Sequence, residues 1–346
     1  MTEKEIQTRE VVVIGAGPAG TTCAYLLKKA GIDCLLLDHA TFPRDKICGG
    51  GLTAKAYKLL EELMPDFKYE YKSIRRVRVL LDEKLIGDIE PTEELRIVCR
   101  KDFDYAMLQQ YLQIGGSFEQ GAFSKFEEQG DGRILVTLKS GRQILCKYLV
   151  GADGANSLVR KQLKSDYDGN VLFVEQYSEK HEDMIEVVLS RRFGYGYYYL
   201  FPNLKHDVVG YGGQYTTIEK FREILKGKGI DEAKIKGAYI PTEDVLSDND
   251  HVILIGDAGG FPNKLTYEGL YYAFITGRNA CRAIKENIPF AEANKIIFKK
   301  KKSEKYWTKV FYSRFGLRLA NYSAAYPRLI RKVFDSVILP KNWNSY

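Results

Sequence analysis

Three glycine-bearing turns, set far apart in the chain, limit what it can fold into: VVVIGAGPAG at 11–20, GADGANSLVR at 151–160 and LIGDAGGFPNKLTYEGL at 254–270. The first reads as strand, tight turn and helix. Val11 to Ile14 form a short apolar run suited to a parallel strand buried on both faces. Gly15, Gly17 and Gly20 follow with GxGxxG spacing, which provides a sharp turn, close approach of backbone to pyrophosphate, and close helix packing. A helix over 21–30 would point its free amides at the phosphates. Leu35, Leu36 and Leu37 make the next strand, and Asp38 ends it where a carboxylate meets a ribose hydroxyl. A dinucleotide is expected here.

The other two turns suggest which one. Alone, each is an ordinary loop between strand and helix. Together, GADG with Ser157 and Arg160, and the Gly256-Asp257 pair after the apolar run 252–255, resemble the FAD-binding set of p-hydroxybenzoate hydroxylase-type flavoproteins. The resemblance implies that Asp153, Gly256 and Asp257 bind the cofactor, with Asp257 on the ribityl chain. It also implies a helix beginning near Thr266, with Gly269, whose positive end faces the flavin ring. In VCRKDFDYAML at 98–108, Arg100 matches the arginine that opens the family's R-x-x-F-D helix beside the cofactor.

Two further segments resemble the geranylgeranyl reductase family within that fold. In FPRDKICGGGLTAKAYKLL at 42–60, Arg44, Lys46, Cys48 and the glycines at 49–51 match an R-x-K-x-C-G-G signature. Gly49 and Gly50 would let backbone pass flat against a ring, and the cation pair of Arg44 and Lys46 would suit cofactor phosphates or a reduced, anionic flavin. Cys48 reads equally as a proton source beside the ring and as a small buried hydrophobe. In GYGYYYLFPN at 194–203, Tyr197, Tyr199, Phe201 and Pro202 match a Y-x-W-x-F-P segment, with tyrosine in place of tryptophan. Residues two apart on a strand face one side, so Tyr197, Tyr199 and Phe201 would form an aromatic wall for an apolar substrate; an aromatic core strand is the plainer alternative. Lys264 and Tyr267 depart from the family pattern. Lys264 is read as a cation at the flavin edge or a solvated loop lysine, and Tyr267 as narrowing the substrate entrance. Cys48, Tyr197 and Tyr199 are the catalytic candidates.

The implied fold class is α/β: a Rossmann-like FAD-binding domain with an inserted antiparallel β-sheet substrate domain and a helical C-terminal tail. The FAD-binding domain is expected in three pieces, 1–72, 100–165 and 245–290, with β-rich insertions at 73–99 and 166–244 and a basic helical region at 291–346. At 45% hydrophobic and 28% charged residues, the 346-residue chain has the balance of a globular protein with a sizeable core. No apolar run approaches the roughly 20 residues of a membrane span. The N-terminus, MTEKEIQTRE, is polar and unlike a signal or transit peptide, so a cytoplasmic location with reduced cysteines is expected, the inner membrane face being the peripheral variant. Neither the six cysteines nor the four histidines have metal-ligand spacing, and no metal is expected.

The net charge of +7 is concentrated at the end: 13 Lys or Arg stand against 3 acids from Ala291 onward. The segment 295–319 reads as one helix with Trp307, Val310, Phe311 and Phe315 on a shared face. Such a helix either rests on an anionic membrane or packs its aromatic face on the flavin domain. It matches no nucleic-acid-binding module.

These readings imply an FAD-dependent oxidoreductase that transfers hydride from flavin N5 to carbon–carbon double bonds of an isoprenoid, geranylgeranyl-type lipid. One alternative is an FAD-dependent monooxygenase of an aromatic or polyketide-like substrate. Another is a non-catalytic flavin-binding redox or interaction protein. A halogenase is disfavoured because both tryptophans, Trp307 and Trp343, lie in the tail. No second GxGxxG in strand context provides a nucleotide domain, so NAD(P)H or ferredoxin would dock transiently as electron donor. Oligomeric state is not legible.

Overall fold

The computed structural model describes residues 6–179 and 182–341; residues 1–5 and Trp343 lie outside them. The chain begins with β1 (Gln7–Ile14), α1 (Pro18–Lys29), β2 (Cys34–Asp38), β3 (Gly51–Leu52), α2 (Ala54–Leu63), β4 (Lys72–Ile74), β5 (Val77–Leu81), β6 (Lys84–Ile89), β7 (Leu95–Ile97) and α3 (Arg100–Gln113). It continues through β8 (Ser117–Gln120), β9 (Phe123–Glu128), β10 (Ile134–Leu138), β11 (Gln143–Gly151), α4 (Leu158–Leu163), β12 (Asn170–Ser178), β13 (Ile185–Leu189), β14 (Gly196–Phe201) and β15 (Asp207–Gly213). Then come α5 (Ile218–Gly227), β16 (Lys236–Pro241), β17 (Val252–Leu254), α6 (Leu270–Glu286), α7 (Phe290–Ala293), α8 (Lys295–Phe311), α9 (Arg314–Ser323) and α10 (Pro327–Ile338).

Apolar runs without alternation form the centre of the first sheet, as burial on both faces requires. β1 lies between β2 and β11, parallel to both, and β17 runs parallel to β11. Val11, Val12 and Val13 are inaccessible to water. β8 extends the sheet beyond β2, while β10 and β9 extend it antiparallel beyond β11. Helices α1 and α6 pack together on one face through Ala19, Cys23 and Gly277. Each of the three glycine turns thus follows the carboxyl end of one of the neighbouring parallel strands β1, β11 and β17, where α/β sheets bind ligands.

The second sheet has the order β16-β12-β15-β14-β13-β5-β6 and joins the two β-rich insertions. Its strands pair antiparallel except β13 and β5, which run parallel, so the expected antiparallel sheet is mixed at that one join. β7 pairs with both β3 and β4 in a short separate sheet. Strand alternation sets the faces. Tyr198, Leu200 and Tyr211 pack under Phe221 and Leu225 of α5, whereas Phe173, Tyr197, Tyr199 and Phe201 face the other way.

The tail differs from the single helix read at 295–319. α8 ends at Phe311, and Ser313 caps α9 by accepting a hydrogen bond from Gly316 N at 3.0 Å. Phe315 therefore belongs to another helix and does not share a face with Trp307, which is itself 59% exposed. α10 returns to the second sheet and buries Ile330, Phe334 and Ile338 against Val77, Ile89 and Ile97. Among the described residues, no helix is long and apolar enough to cross a membrane.

Candidate active site

The first turn closes tightly for a physical reason. Gly15 takes φ +105°, which a side chain rarely tolerates, and a Cβ on Gly20 would overlap the Gly15 carbonyl oxygen. Helix α1 can therefore start at Pro18, directly over the turn, with Gly17 as its N-cap. Asp38 stands beside it at the end of β2. Its carboxylate accepts hydrogen bonds from Ala16 N at 2.7 Å and Ala40 N at 2.8 Å, so it positions the loop as well as facing the cavity. Carboxylate lone pairs remain for a ribose hydroxyl.

The second and third turns are tied to each other. Asp153 accepts from Ser157 Oγ at 2.5 Å and from Leu158 N at 2.7 Å, capping α4. Burial pushes its carboxyl above the usual range against the pull of those donors. Arg160 donates to the carbonyls of Asp257 and Ala258, both at 2.9 Å, and also to that of Ala155. Asp257 faces the cavity with Lys46 Nζ 4.0 Å from its carboxylate. The last helix of the set begins at Leu270 with Gly269 as N-cap, four residues later than expected, because Asn263 folds the preceding loop by accepting from Leu265 N and Thr266 N at 2.8 Å.

Arg100 and Asp104, one turn apart on α3, form a buried fork at 2.8 and 2.9 Å, and Arg44 Nη1 lies 3.5 Å from the same carboxylate. Burial disfavours the Arg100 charge, yet Asp104 and Cys48 outweigh it and raise its pKa. A fixed cation therefore faces the cavity beside Gly49 and Gly50.

Above these glycines stands the aromatic wall. Tyr197, Tyr199 and Phe201 all line the cavity, with Phe201 over Gly49. Tyr197 OH donates to Thr266 O at 2.5 Å, and Tyr267 OH donates to Tyr195 O at 2.6 Å. Burial raises all three phenols, Tyr197, Tyr199 and Tyr267, so they stay protonated donors. Three expected contact residues do not line the cavity: Gly20 and Gly256, which pack at the first and third turns, and Pro202, which is buried beyond the end of β14. Lys264 is not aimed into this cavity; its ammonium pairs with Glu243.

The cavity has a volume of about 1910 Å³. That exceeds the roughly 300–1,000 Å³ of a pocket for one drug-sized ligand. One part runs past the three turns; the other is apolar, walled by Val79, Ile86 and Val187 of the second sheet and roofed by α9 and α10. Residues 8–180 match the family model described as the FAD binding domain. The chain belongs to the FAD-binding flavoprotein family.

Relatives and solved structures share its sequence and fold over most of its length. An uncharacterized protein of Methanosarcina barkeri is 32% identical over 81% of this chain and 75% of its own length. The chloroplastic geranylgeranyl diphosphate reductase of rice is 28% identical over 79% of this chain and 66% of its own. Three solved structures share the fold: a flavoprotein/dehydrogenase from Cytophaga hutchinsonii (TM-score 0.80, 16% identity, 98% and 94% of the two chains), a geranylgeranyl bacteriochlorophyll reductase-like protein from Thermoplasma acidophilum (0.70, 18%, 97% and 94%) and a flavin-dependent brominase (0.72, 18%, 96% and 94%). At such identities they speak to fold alone. This flavoprotein is an FAD-dependent oxidoreductase, and its turns, Asp38, Arg100 and the α6 N-terminus suit the FAD it binds.

Two groups at the flavoprotein's site escape sequence reading. Glu175 of β12, 5% exposed, accepts from Cys48 N and from Tyr199 OH, both at 2.8 Å. Burial holds its carboxyl above the usual range, against those hydrogen bonds and the nearby Lys46 and Lys236. Its signal was a lone acid directly after the apolar run VLFV at 171–174. The second group is Lys55 and Glu268, a buried ion pair at 2.7 Å; Thr53 also donates to Glu268, and Lys55 to the Val337 carbonyl of α10 at 2.8 Å.

Proposed function

We propose that this oxidoreductase reduces isolated carbon–carbon double bonds in the chain of an isoprenoid lipid, with FAD as its hydride carrier. The observation that carries the reading is the apolar arm of the cavity, which opens from the wall of Tyr197, Tyr199 and Phe201 and runs along the aliphatic side chains of Val79, Ile86 and Val187 under α9 and α10. Burying such a chain is favourable by about 0.8 kcal/mol per methylene.

When bound and reduced, FAD would supply the hydride, from N5, for one alkene carbon. The protein must then hold the chain still, keep water out, and deliver a proton to the other carbon. The aromatic wall serves the first two needs. We assign the proton to Tyr199, whose hydroxyl is held by Glu175, with Cys48 fixed beside them through its amide. Arg44, Gly15, Gly17, Gly49 and Gly50 would hold the cofactor's phosphates and ring, Asp38 its ribose and Asp257 its ribityl chain. Electrons come from NAD(P)H or ferredoxin docking from outside.

The test is anaerobic. Protein reduced with dithionite is mixed with geranylgeranyl lipids, and reoxidation is followed with the products' masses. Loss of flavin reduction together with a gain of two mass units per turnover is expected. Reduced protein that ignores every unsaturated lipid, or hydroxylates an aromatic acceptor in oxygen, would overturn the reading.

A further inference from the structure

We propose that α9 and α10 form a docking face that seats the mouth of the cavity on an anionic phospholipid bilayer. Phe315, Leu319 and Tyr322 recur at i, i+4 and i+7 on α9, and Leu329 and Val333 one turn apart on α10. All five are more than half exposed, from 52% to 76%. A neighbouring side of α10 is already used, since Ile330, Phe334 and Ile338 pack inward against Val77, Ile89 and Ile97. The exposed stripe is therefore a second apolar face, not the back of the first. A contiguous patch of this kind marks an interaction surface.

Charge selects the occupant. Arg314, Arg318, Arg328, Arg331 and Lys332 are exposed on the same two helices, and from Arg314 to Lys341 six cations stand against one acid. Helices with an apolar stripe flanked by Lys and Arg lie in the plane of an anionic bilayer surface. A second copy of this chain would suit the face poorly, because an isologous contact sets the same basic residues against themselves.

Position gives the face its use. Leu319, Tyr322, Leu329 and Val333 also line the cavity, so the exposed patch is its rim. A lipid could slide its chain from the bilayer into the apolar arm without crossing water while its head group stays in the interface. This purpose rests on the lipid-reductase reading; the docking itself is read without turnover.

Flavin-loaded full-length protein is sedimented with vesicles of phosphatidylcholine alone and with added phosphatidylglycerol. Binding to the anionic vesicles that weakens with salt is expected, since these charges are screened beyond about 8 Å at physiological ionic strength. Arg318→Gln should lower the partition coefficient roughly fivefold, the equivalent of about 1 kcal/mol per cation at an anionic surface. Leu329→Glu with Val333→Glu should lower it further while keeping the yellow colour and melting temperature. Wild type that ignores anionic vesicles would overturn the proposal. So would binding that these variants leave unchanged, or a wild-type dimer that they turn into monomers. Docking without any lipid reduction would leave this inference standing and remove the substrate reading.

Discussion

Glu175 shows what a single carboxyl group does when the fold shuts it away from water. Burying an acid is unfavourable unless it is hydrogen-bonded or stays protonated, and here Tyr199 OH and Cys48 N supply the bonds while burial raises its pKa. The sign follows from the direction. The folded protein retains a proton that the unfolded chain has released, so this contribution is present at low pH and is lost as pH rises from the ordinary carboxylate range through the raised value. Glu175→Gln is expected to remove that slope from urea-unfolding free energies measured across pH; an unchanged slope would place the titration on another group. The same variant should keep FAD yet lose at least about 10²-fold in single-turnover lipid reduction, and Tyr199→Phe should match it. Gly20→Val tests the other end of the site: its side chain would meet the Gly15 carbonyl, and purification of a colourless protein is expected. Glycine spacing made that position legible from sequence. Glu175 was not, because its role depends on Cys48, 127 residues away.

Among the elements, α8 separates what a hydrophobicity pattern can find from what it cannot. The aromatic stripe chosen from sequence leaves Trp307 mostly exposed, whereas the buried positions are Ile297, Lys301, Glu304 and Thr308, at i, i+4, i+7 and i+11. That stripe has proper helical spacing but is largely polar, so apolar periodicity passes over it. Its two charged members are satisfied: Lys301 donates to Pro262 O at 2.6 Å and Thr242 O at 3.1 Å, while Glu304 accepts from Asn263 at 2.7 Å and from Tyr272. Removing one member of a buried pair leaves the other uncompensated. Glu304→Ala is thus expected to cost about 3 kcal/mol in urea unfolding, against under about 0.5 kcal/mol for the exposed Lys302→Ala. Equal effects would mean that the helix is held by its surface alone. The break at Ser313 was legible in principle, since a serine three residues before an unpaired amide is a capping signal.

For the whole molecule, the three turns were readable because each is short and each follows its own parallel strand. Their meeting is set by neighbouring strands, with Ala152 N donating to Ile14 O at 2.7 Å and Ile255 N to Gly151 O at 3.0 Å. The parallel join of β5 to β13 was not readable: it depends on which insertion edge meets which, and alternation within a strand carries no such information. The same holds for the cavity's apolar arm, assembled from β5, β6, β13 and two tail helices. Filling it is a test of size: Val187→Trp should lower kcat/KM for a geranylgeranyl lipid about tenfold or more while sparing a shorter geranyl one. Equal loss for both would mean that the chain lies elsewhere.

Lys55 carries a consequence of its own. Its ammonium is shared between the Glu268 carboxylate at the α6 end and the Val337 carbonyl near the end of α10. Were the final helix to swing outward, the lysine would lose a ligand and lean harder on its remaining acid. The last turn of α10 and the charge at the α6 end of the cavity would then move as one lever.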